Sequence, residues 1–251
     1  MPGLGGLEEP VSRKRNRGPK VIDPLEYLSK LEEIAPKTAL QITKTPSGEM
    51  ERTAVTVSIR HKPVCWGFCF DEVTFSKWVV NMLRVPMMPW DSYATAQSTY
   101  LPDARNTVHR EFLETDCEYL VMLDSDVLPP HDFLDKLLKH HLPMVGGWYR
   151  KKGEPYFPCV YDDEGEPDER GIIQYKLREI PGAGVEAVAG AGAGCWLMHR
   201  SVAEAIGERP YDMNAGGEDL ALCRRVHEAG FKTHIDWSVA CNHAGVALAY
   251  A

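Results

Sequence analysis

Continuous apolar runs, separated by turn residues, predict most of the strands in this sequence. Val64–Phe70 and residues 119–123 are apolar without alternation, which is typical of strands buried on both faces of a sheet. Residues 53–59 alternate and are β-branched, so they predict another strand. Shorter apolar runs predict further strands at residues 144–149, 156–161, 171–177, 195–198 and 231–239.

Helical spacing of apolar residues fills most of the gaps between these strands. Residues 75–83 predict a helix that turns Phe75, Val79 and Met82 inward, and residues 101–113 predict a longer helix. The alternation of strands and helices predicts an α/β fold: a Rossmann-like, mostly parallel central sheet flanked by helices. Other helices are predicted at residues 23–34, 131–140, 201–206 and 220–229, and residues 87–101 show no clear periodicity.

The most informative polar group is Asp124-Ser125-Asp126, which directly follows the apolar run 119–123. The carboxyl end of a buried strand is where open α/β sheets bind ligands. Hard divalent cations prefer carboxylate oxygens, and a bound metal can hold a diphosphate. The sequence therefore predicts a metal site here, although Asp-x-Asp is also common in solvated turns.

Five further residues carry candidate chemistry. Glu218 and Asp219 begin a helix behind a glycine loop, where acidic residues also stabilise the helix dipole, so a purely structural role is an alternative. His243 follows a predicted strand and is a candidate metal ligand beside Asp126. Arg105 and Asn106 lie near a helix start, where they can hold a phosphate or a base, or form only an exposed polar turn.

Glycines at every second position form another unusual pattern, at Gly190, Gly192 and Gly194. They resemble a dinucleotide fingerprint only superficially, because the segment lacks the strand-to-helix order which that motif needs. Glycine without a side chain allows the backbone to pass close to a ligand. We therefore expect such an approach at this segment.

Composition narrows the class of protein. The 251 residues are 44% hydrophobic, enough for the core of one large domain or two small ones. No apolar segment is long enough to span a bilayer, and the first residues lack the apolar region of a signal peptide. Seven cysteines without a CxxC pair argue against a disulfide framework or structural zinc. We expect a cytoplasmic protein.

Charged residues are distributed unevenly along the chain. The net charge is −8, which does not favour nucleic-acid binding, but a short basic stretch near the N-terminus stands out. It predicts a flexible arm over residues 1–22 that is either only solvated or contacts phosphates of DNA or RNA. Residues 23–251 are predicted as a single domain, with a surface hairpin or insertion at about 153–181. The basic residues are Arg13, Lys14, Arg15, Arg17 and Lys20.

The order of these motifs resembles a nucleotide-sugar glycosyltransferase of the GT-A fold. The resemblance covers roughly residues 60–245 and is nearest to family 2 and to compact, soluble versions from phage genomes. It implies that Asp126, Asp124 and His243 hold Mn²⁺ or Mg²⁺, and that the donor is a nucleoside-diphosphate sugar, with UDP-sugar favoured. Asp219 would be the general base, assisted by Glu218. In a phage-encoded protein the location would be the host cytoplasm.

The resemblance also implies a donor side and an acceptor side. Asp124, Arg105, Asn106 and Asp71 would contact the nucleotide, although Phe68-Cys69-Phe70-Asp71 departs from the usual signature of the first strand. The acceptor side would be a small antiparallel region, with Trp148, Gly194, Trp196 and Gly217 as its candidate residues.

Activity and acceptor leave alternatives open. One base opposite the metal favours inversion at the anomeric carbon, and the absence of Gln-x-x-Arg-Trp argues against processive polysaccharide synthesis. Phage-type relatives suggest a hydroxylated pyrimidine, such as a 5-hydroxymethyl pyrimidine, in DNA. Protein, lipid and glycan acceptors are alternatives. A metal-dependent nucleotidyltransferase or nuclease, or a non-catalytic nucleotide-binding module, is a different class of hypothesis.

Overall fold

The structure, a computed structural model, describes residues 38–44, 50–56, 62–70, 74–98, 100–163, 169, 175–214 and 216–245. The predicted arm 1–22, the predicted helix 23–34 and Asp71 lie outside these residues. The chain divides into two compact units, Met1–Ile59 and Arg60–Ala251, which we describe separately. The single domain predicted over 23–251 stays a prediction.

In the first unit the backbone forms an antiparallel pair of strands. Strand β1 spans Thr38–Lys44 and strand β2 spans Met50–Thr56, with Thr38 opposite Thr56 and Lys44 opposite Met50. The sequence predicted a strand at residues 53–59, so it identified β2 but placed its start three residues late. The charged pair Glu51-Arg52 interrupts the alternation, so the pattern did not extend the predicted strand back to Met50.

The second unit is built on a seven-stranded sheet with the strand order β10-β13-β7-β12-β5-β3-β4. Five strands run in one direction, because β3 is parallel to β4 and β5, β13 is parallel to β7, and β12 is antiparallel to both β5 and β7. The strands are β3 (Val64–Phe70), β4 (Ser92–Gln97), β5 (Tyr119–Asp124), β6 (Val127–Leu128), β7 (Met144–Trp148), β8 (Val160–Asp163), β9 (Tyr175–Leu177), β10 (Val185–Val188), β11 (Gly190–Ala191), β12 (Cys195–His199), β13 (Thr233–Ala240) and β14 (Asn242–His243).

Two smaller antiparallel sheets adjoin the large one. They are β11-β8-β9 and the short pair β14-β6, in which His243 is opposite Val127. Together with the mostly parallel central sheet, they confirm the predicted α/β fold class with its small antiparallel region. The central strands β3 and β5 are buried along nearly their whole length, which agrees with their apolar sequences without alternation.

Helices cover both faces of the sheet and bury separate apolar clusters. One cluster contains Val108 and Phe112 together with Val202 and Leu222, and the other contains Trp78, Phe133 and Leu137. Such two-sided cover explains why the central strands are continuously apolar. The described helices are α1 (Ser76–Met82), α2 (Leu101–Leu113), α3 (Phe133–Leu138), α4 (Arg200–Ile206) and α5 (Glu218–Glu228).

The buried face of α1 differs from the prediction. Trp78 and Met82 are buried, whereas Phe75 and Val79 are 41% and 44% exposed. The prediction was wrong about Phe75 and Val79 because it did not count the indole ring of Trp78 among the inward positions. That ring packs edge-on against Phe68, with ring centroids 5.5 Å apart.

Strand β4 was not predicted. It pairs with β3 at the edge of the sheet, and Ala94 is its one buried residue. An edge strand with small and polar side chains buries too little apolar surface to produce a periodic pattern. The chain around it therefore looked irregular in sequence.

All seven cysteines are free, and six of them are buried. Burial raises the pKa of the Cys65, Cys69 and Cys223 thiols to about 12. No helix in the described part of the chain is long and apolar enough to cross a membrane.

Candidate active site

Two carboxylates lie where the central strand β5 ends. Asp124 is the last residue of β5, and Asp126 precedes β6 by one residue. Both line a cleft of about 260 Å³ at the carboxyl ends of β3, β4 and β5. The edge of the sheet thus presents carboxylates to an open space, as the sequence predicted from the position of the triplet. The cleft is lined by Cys69, Phe70, Ser98, Leu101, Ala104, Asp124, Ser125 and Asp126.

The buried guanidinium of Arg105 contacts several groups at this edge of the sheet. Arg105 of α2 is 2% exposed, and its Nη2 donates to Asp124 Oδ2 at 3.0 Å. Its Nη1 donates to the Ala193 carbonyl at 3.0 Å, and its Nε lies 3.6 Å from Glu218 Oε1. Burial alone would lower the pKa of Arg105, but Asp124 and the other carboxylates outweigh burial and raise it. Arg105 is therefore a fixed positive charge that faces protein carboxylates.

Asn106, the other predicted nucleotide contact on this helix, is placed in the core. Its Nδ2 donates to the Tyr211 carbonyl at 2.9 Å, and its Oδ1 accepts from the Tyr211 N–H at 3.0 Å. The residue is 2% exposed and does not line the cleft. Its amide therefore joins α2 to the loop before α5, which corrects the expected role in nucleotide binding.

A second pair of carboxylates begins helix α5. Gly216 and Gly217, with φ of 87° and 153°, form the turn that leads into Glu218 and Asp219. This backbone conformation is one that residues with a Cβ rarely adopt. The Ala193 N–H donates to Asp219 Oδ2 at 3.3 Å, so the same residue contacts Asp219 through its N–H and Arg105 through its carbonyl. The two carboxylate pairs are thereby linked through Arg105.

Glu218 and Asp219 also interact with each other. Burial raises the pKa of Glu218 to about 7, reinforced by the hydrogen bond and the negative charge of Asp219. Two carboxylates this close do not both ionise readily. Glu218 in the folded protein therefore takes up a proton near neutral pH, where an acid–base group is useful.

His243 and Lys152 approach Asp126 from the other side. His243 Nδ1 is 2.8 Å from the Arg150 carbonyl, and His243 Nε2 lies 3.7 Å from Asp126 Oδ1. Lys152 Nζ is 2.5 Å from Asp126 Oδ2. Burial would raise the pKa of Asp126, but the proximity of His243 and Lys152 outweighs burial and lowers it. Asp126 is therefore held ionised.

The donor atoms around Asp124 and Asp126 fit a divalent cation. Asp124 Oδ1 is buried without a hydrogen-bond partner, and Asp126 Oδ1 faces His243 Nε2. Among the described residues no three His, Cys, Asp or Glu side chains already surround one point. Mg²⁺ and similar hard ions commonly bind through one or two carboxylates and complete their shell with substrate phosphates and water. A preformed protein cage is therefore not needed for this chemistry.

Charge at the site also favours a cation. Asp124, Asp126, Glu218 and Asp219 contribute carboxylates, while the cations in contact with them are Arg105 and Lys152. Burial raises the pKa of Asp124, and the nearby charge of Asp126 raises it further against the opposing effect of Arg105. A bound cation would relieve this excess of negative charge.

Tyr149 explains the glycine repeat that the sequence had assigned to ligand approach. Its hydroxyl accepts a hydrogen bond from the Gly194 N–H at 3.1 Å. A Cβ at Gly192 would overlap this hydroxyl, and a Cβ at Gly194 would lie 3.0 Å from the ring. A Cβ at Gly190 would lie 2.5 Å from Leu220. These glycines make room for protein side chains, which corrects the expectation that they mark a ligand.

The two predicted acceptor-side tryptophans belong to the core. Trp148 is 6% and Trp196 is 1% exposed, and Trp148 Nε1 donates to the Trp237 carbonyl at 3.0 Å. Buried rings cannot contact an acceptor, so their assignment is corrected as well. Gly217 remains beside the carboxylates, at the start of α5.

Tyr149 and Lys152 were not predicted as site residues. Tyr149 packs edge-on against His243, with ring centroids 4.8 Å apart, and so fixes the position of the imidazole. The basic run Arg150-Lys151-Lys152 after the strand was visible, but nothing in its spacing indicates that Lys152 returns to Asp126. Only the path of the chain after β7 brings these groups together.

Comparison with known proteins gives a fold relationship. No protein-family profile matches the sequence, and no curated protein matches it significantly. The crystal structure of A197 from STIV aligns with a TM-score of 0.56 and 19% identity, over 75% of this chain and 93% of that chain. This likeness shows a shared fold.

Two crystal structures of UDP-glucose pyrophosphorylase also align, each with 10% identity over 71% of this chain and 75% of theirs. The TM-score is 0.37 for the complex with UDP-glucose and 0.39 for the apo form. Scores this low carry no argument about activity.

Proposed function

We propose that this protein is a metal-dependent glycosyltransferase that moves a sugar from a nucleoside-diphosphate sugar to an acceptor hydroxyl. The observation that carries the proposal is the convergence of two carboxylate pairs on Arg105. Asp124 lines an open cleft with Asp126, whereas Glu218 lies on the far side of the guanidinium with Asp219. In this proposal Arg105 joins a donor side, at Asp124 and Asp126, to an acceptor side, at Glu218 and Asp219.

On the donor side, Asp124, Asp126 and His243 would hold Mn²⁺ or Mg²⁺. When bound, the metal would neutralise negative charge on the diphosphate leaving group. Phe70 lines the same cleft, and in this proposal the nucleobase would stack on its ring. A UDP-sugar is the donor class that we propose, following the family resemblance.

On the acceptor side, Asp219 would accept the proton of the acceptor hydroxyl. The hydroxyl oxygen forms a bond to the anomeric carbon while the bond from that carbon to the diphosphate breaks, which inverts the configuration. The Ala193 N–H orients the Asp219 carboxylate. Glu218, with its pKa raised to about 7 by burial and by Asp219, lies beside this base and takes up a proton near neutral pH.

The acceptor is proposed to be a hydroxylated pyrimidine in DNA, bound with the help of the basic arm, which lies outside the described residues. A hydroxyl on a protein, lipid or glycan would use the same base and the same donor site. The proposed chemistry therefore does not depend on the identity of the acceptor.

The test is a screen of nucleotide-sugars with Mn²⁺, with release of free nucleoside diphosphate as the readout. We expect one donor to be hydrolysed slowly, and faster when a matching acceptor is present. Asp126→Ala should lose the release, while Asp132→Ala, at a carboxylate whose side chain is 59% exposed, should keep it. Pyrophosphate release from a nucleoside triphosphate plus a sugar phosphate would instead show a nucleotidyltransferase. Binding without turnover of any donor would show a non-catalytic module.

A further inference from the structure

Lys152 makes an ion pair at the part of the site where a metal would bind. Its Nζ lies 2.5 Å from Asp126 Oδ2, and its side chain is 46% exposed. The neighbouring Lys151 is exposed too, but no ion pair of its side chain with a carboxylate is found among the described residues. One of two adjacent lysines is thus directed at the site.

The two cations of the site differ in mobility. Arg105 is buried and fixed by contacts with Asp124, Ala193 and Glu218. Lys152 is a flexible side chain whose exposed ion pair contributes little to stability. Moving Arg105 would leave buried charges without partners, whereas Lys152 can leave Asp126 at little cost.

A metal ion at this site and the Lys152 ammonium would compete for Asp126. Both carry positive charge, and Lys152 already occupies Oδ2 while Oδ1 faces His243. A divalent cation bound to Asp126 would repel the ammonium at short range. A donor diphosphate bound with the metal would supply new acceptor oxygens close by, and ammonium groups bind phosphates well.

We propose that Lys152 is an exchangeable cation: it neutralises Asp126 before the donor binds, then moves to the donor diphosphate when the metal takes its place. This inference rests on the proposed function, because it assumes a metal and a diphosphate at Asp126. The proposal gives Lys152 two opposite effects. It weakens binding of the metal alone, and it strengthens binding of the nucleotide in the presence of the metal. A permanent surface ion pair would have neither effect.

The test compares Lys152→Met with Lys151→Met, using calorimetry with Mn²⁺ alone and then with UDP in the presence of Mn²⁺. We expect Lys152→Met to bind Mn²⁺ alone about two- to fivefold more tightly, the scale of an exposed ion pair. It should bind UDP with Mn²⁺ about tenfold or more weakly, the scale of a lost charge-assisted hydrogen bond. Lys151→Met should match the wild type in both titrations.

The outcomes separate this inference from the proposed function. A wild type that binds both Mn²⁺ and UDP, with a Lys152→Met variant that binds both equally well, overturns the exchange and leaves the glycosyltransferase proposal intact. A wild type that binds neither Mn²⁺ nor UDP overturns both. Thermal unfolding confirms that the two variants are folded.

Discussion

His243 directs its Nε2 atom at Asp126 Oδ1 across 3.7 Å, while its Nδ1 is 2.8 Å from the Arg150 carbonyl. A carbonyl can only accept, so the proton must be on Nδ1, and the lone pair of a neutral ring then points towards Asp126. A histidine that ligates a metal normally has this arrangement, with its other nitrogen donating to a carbonyl or carboxylate.

Replacing His243 should therefore weaken metal and nucleotide binding together. We expect His243→Ala to reduce affinity for Mn²⁺, and for UDP in its presence, by about 10- to 100-fold. Calorimetry measures both constants. His234→Ala is the matched control, because His234 Nδ1 also contacts a backbone carbonyl, that of Met144 at 3.2 Å, and His234 does not line the cleft. Equal affinities in the two variants would make His243 a structural residue.

Asp219→Asn should separate donor binding from transfer. The amide keeps the shape of the carboxylate but cannot accept the acceptor proton, so single-turnover transfer should fall by about two to four orders of magnitude. Donor affinity should stay near the wild-type value, since Asp219 does not line the cleft. Transfer at the full rate would show that Asp219 is not the base. Loss of donor affinity would show that Asp219 contacts the donor instead.

Glu218 should make stability depend on pH. Burial and Asp219 raise the pKa of Glu218 to about 7, so the folded protein binds a proton that the unfolded chain releases near pH 4.5. Because the folded pKa is the higher one, this contribution is complete below about pH 4.5 and is lost as pH rises through about 7. Glu218→Gln cannot ionise and should therefore gain Tm relative to the wild type between pH 5 and pH 8.

The gain should amount to several degrees, at about 2–4 °C per kcal/mol for a chain of this size. Thermal unfolding at the two pH values measures it, with Glu228→Gln as the control, because Glu228 has a 64% exposed side chain at the other end of α5. If the difference in Tm between Glu218→Gln and the wild type is the same at pH 5 and pH 8, the raised pKa is disproved.

Arg105 should matter for folding as well as for the site. Arg105→Met would leave Asp124 and Glu218 without their buried counter-charge, and we expect a loss of about 3–5 kcal/mol in the free energy of unfolding. Lys152→Met, at an exposed pair, should cost at most about 1 kcal/mol. Urea denaturation compares the two. Equal stabilities would show that the carboxylates near Arg105 are neutral in the folded protein.

The parts of this fold that the sequence predicted are those whose burial is continuous. β3 and β5 are covered on both faces, so nearly every residue is apolar, whereas β4 at the edge buries only Ala94 and gives no pattern. Asp124 was identifiable because it ends such a strand. The metal and acid–base roles of the site residues stay predictions.

Other groups of the site could not be predicted because contacts distant in sequence define them. Lys152 reaches Asp126 only through the path of the chain after β7, and Asn106 is held by the backbone of Tyr211, 105 residues away. The repeat at Gly192 and Gly194 indicates that space is needed, but not what occupies it. Tyr149 occupies this space at Gly192, and Val127 together with Tyr149 occupies it at Gly194.

The buried thiols make local opening of this fold measurable. A cysteine reacts with an alkylating reagent as the thiolate, and only where solvent reaches it. Burial raises the pKa of both thiols to about 12 and leaves Cys69 6% and Cys223 0% exposed, so faster labelling reports transient opening. Cys69 is on β3 and lines the cleft, and Cys223 lies within α5, the helix that begins at Glu218. Mass spectrometry can follow the labelling rates of Cys69 and Cys223 separately. The two rates would therefore report how often each half of the site opens, in a protein that carries no substitution.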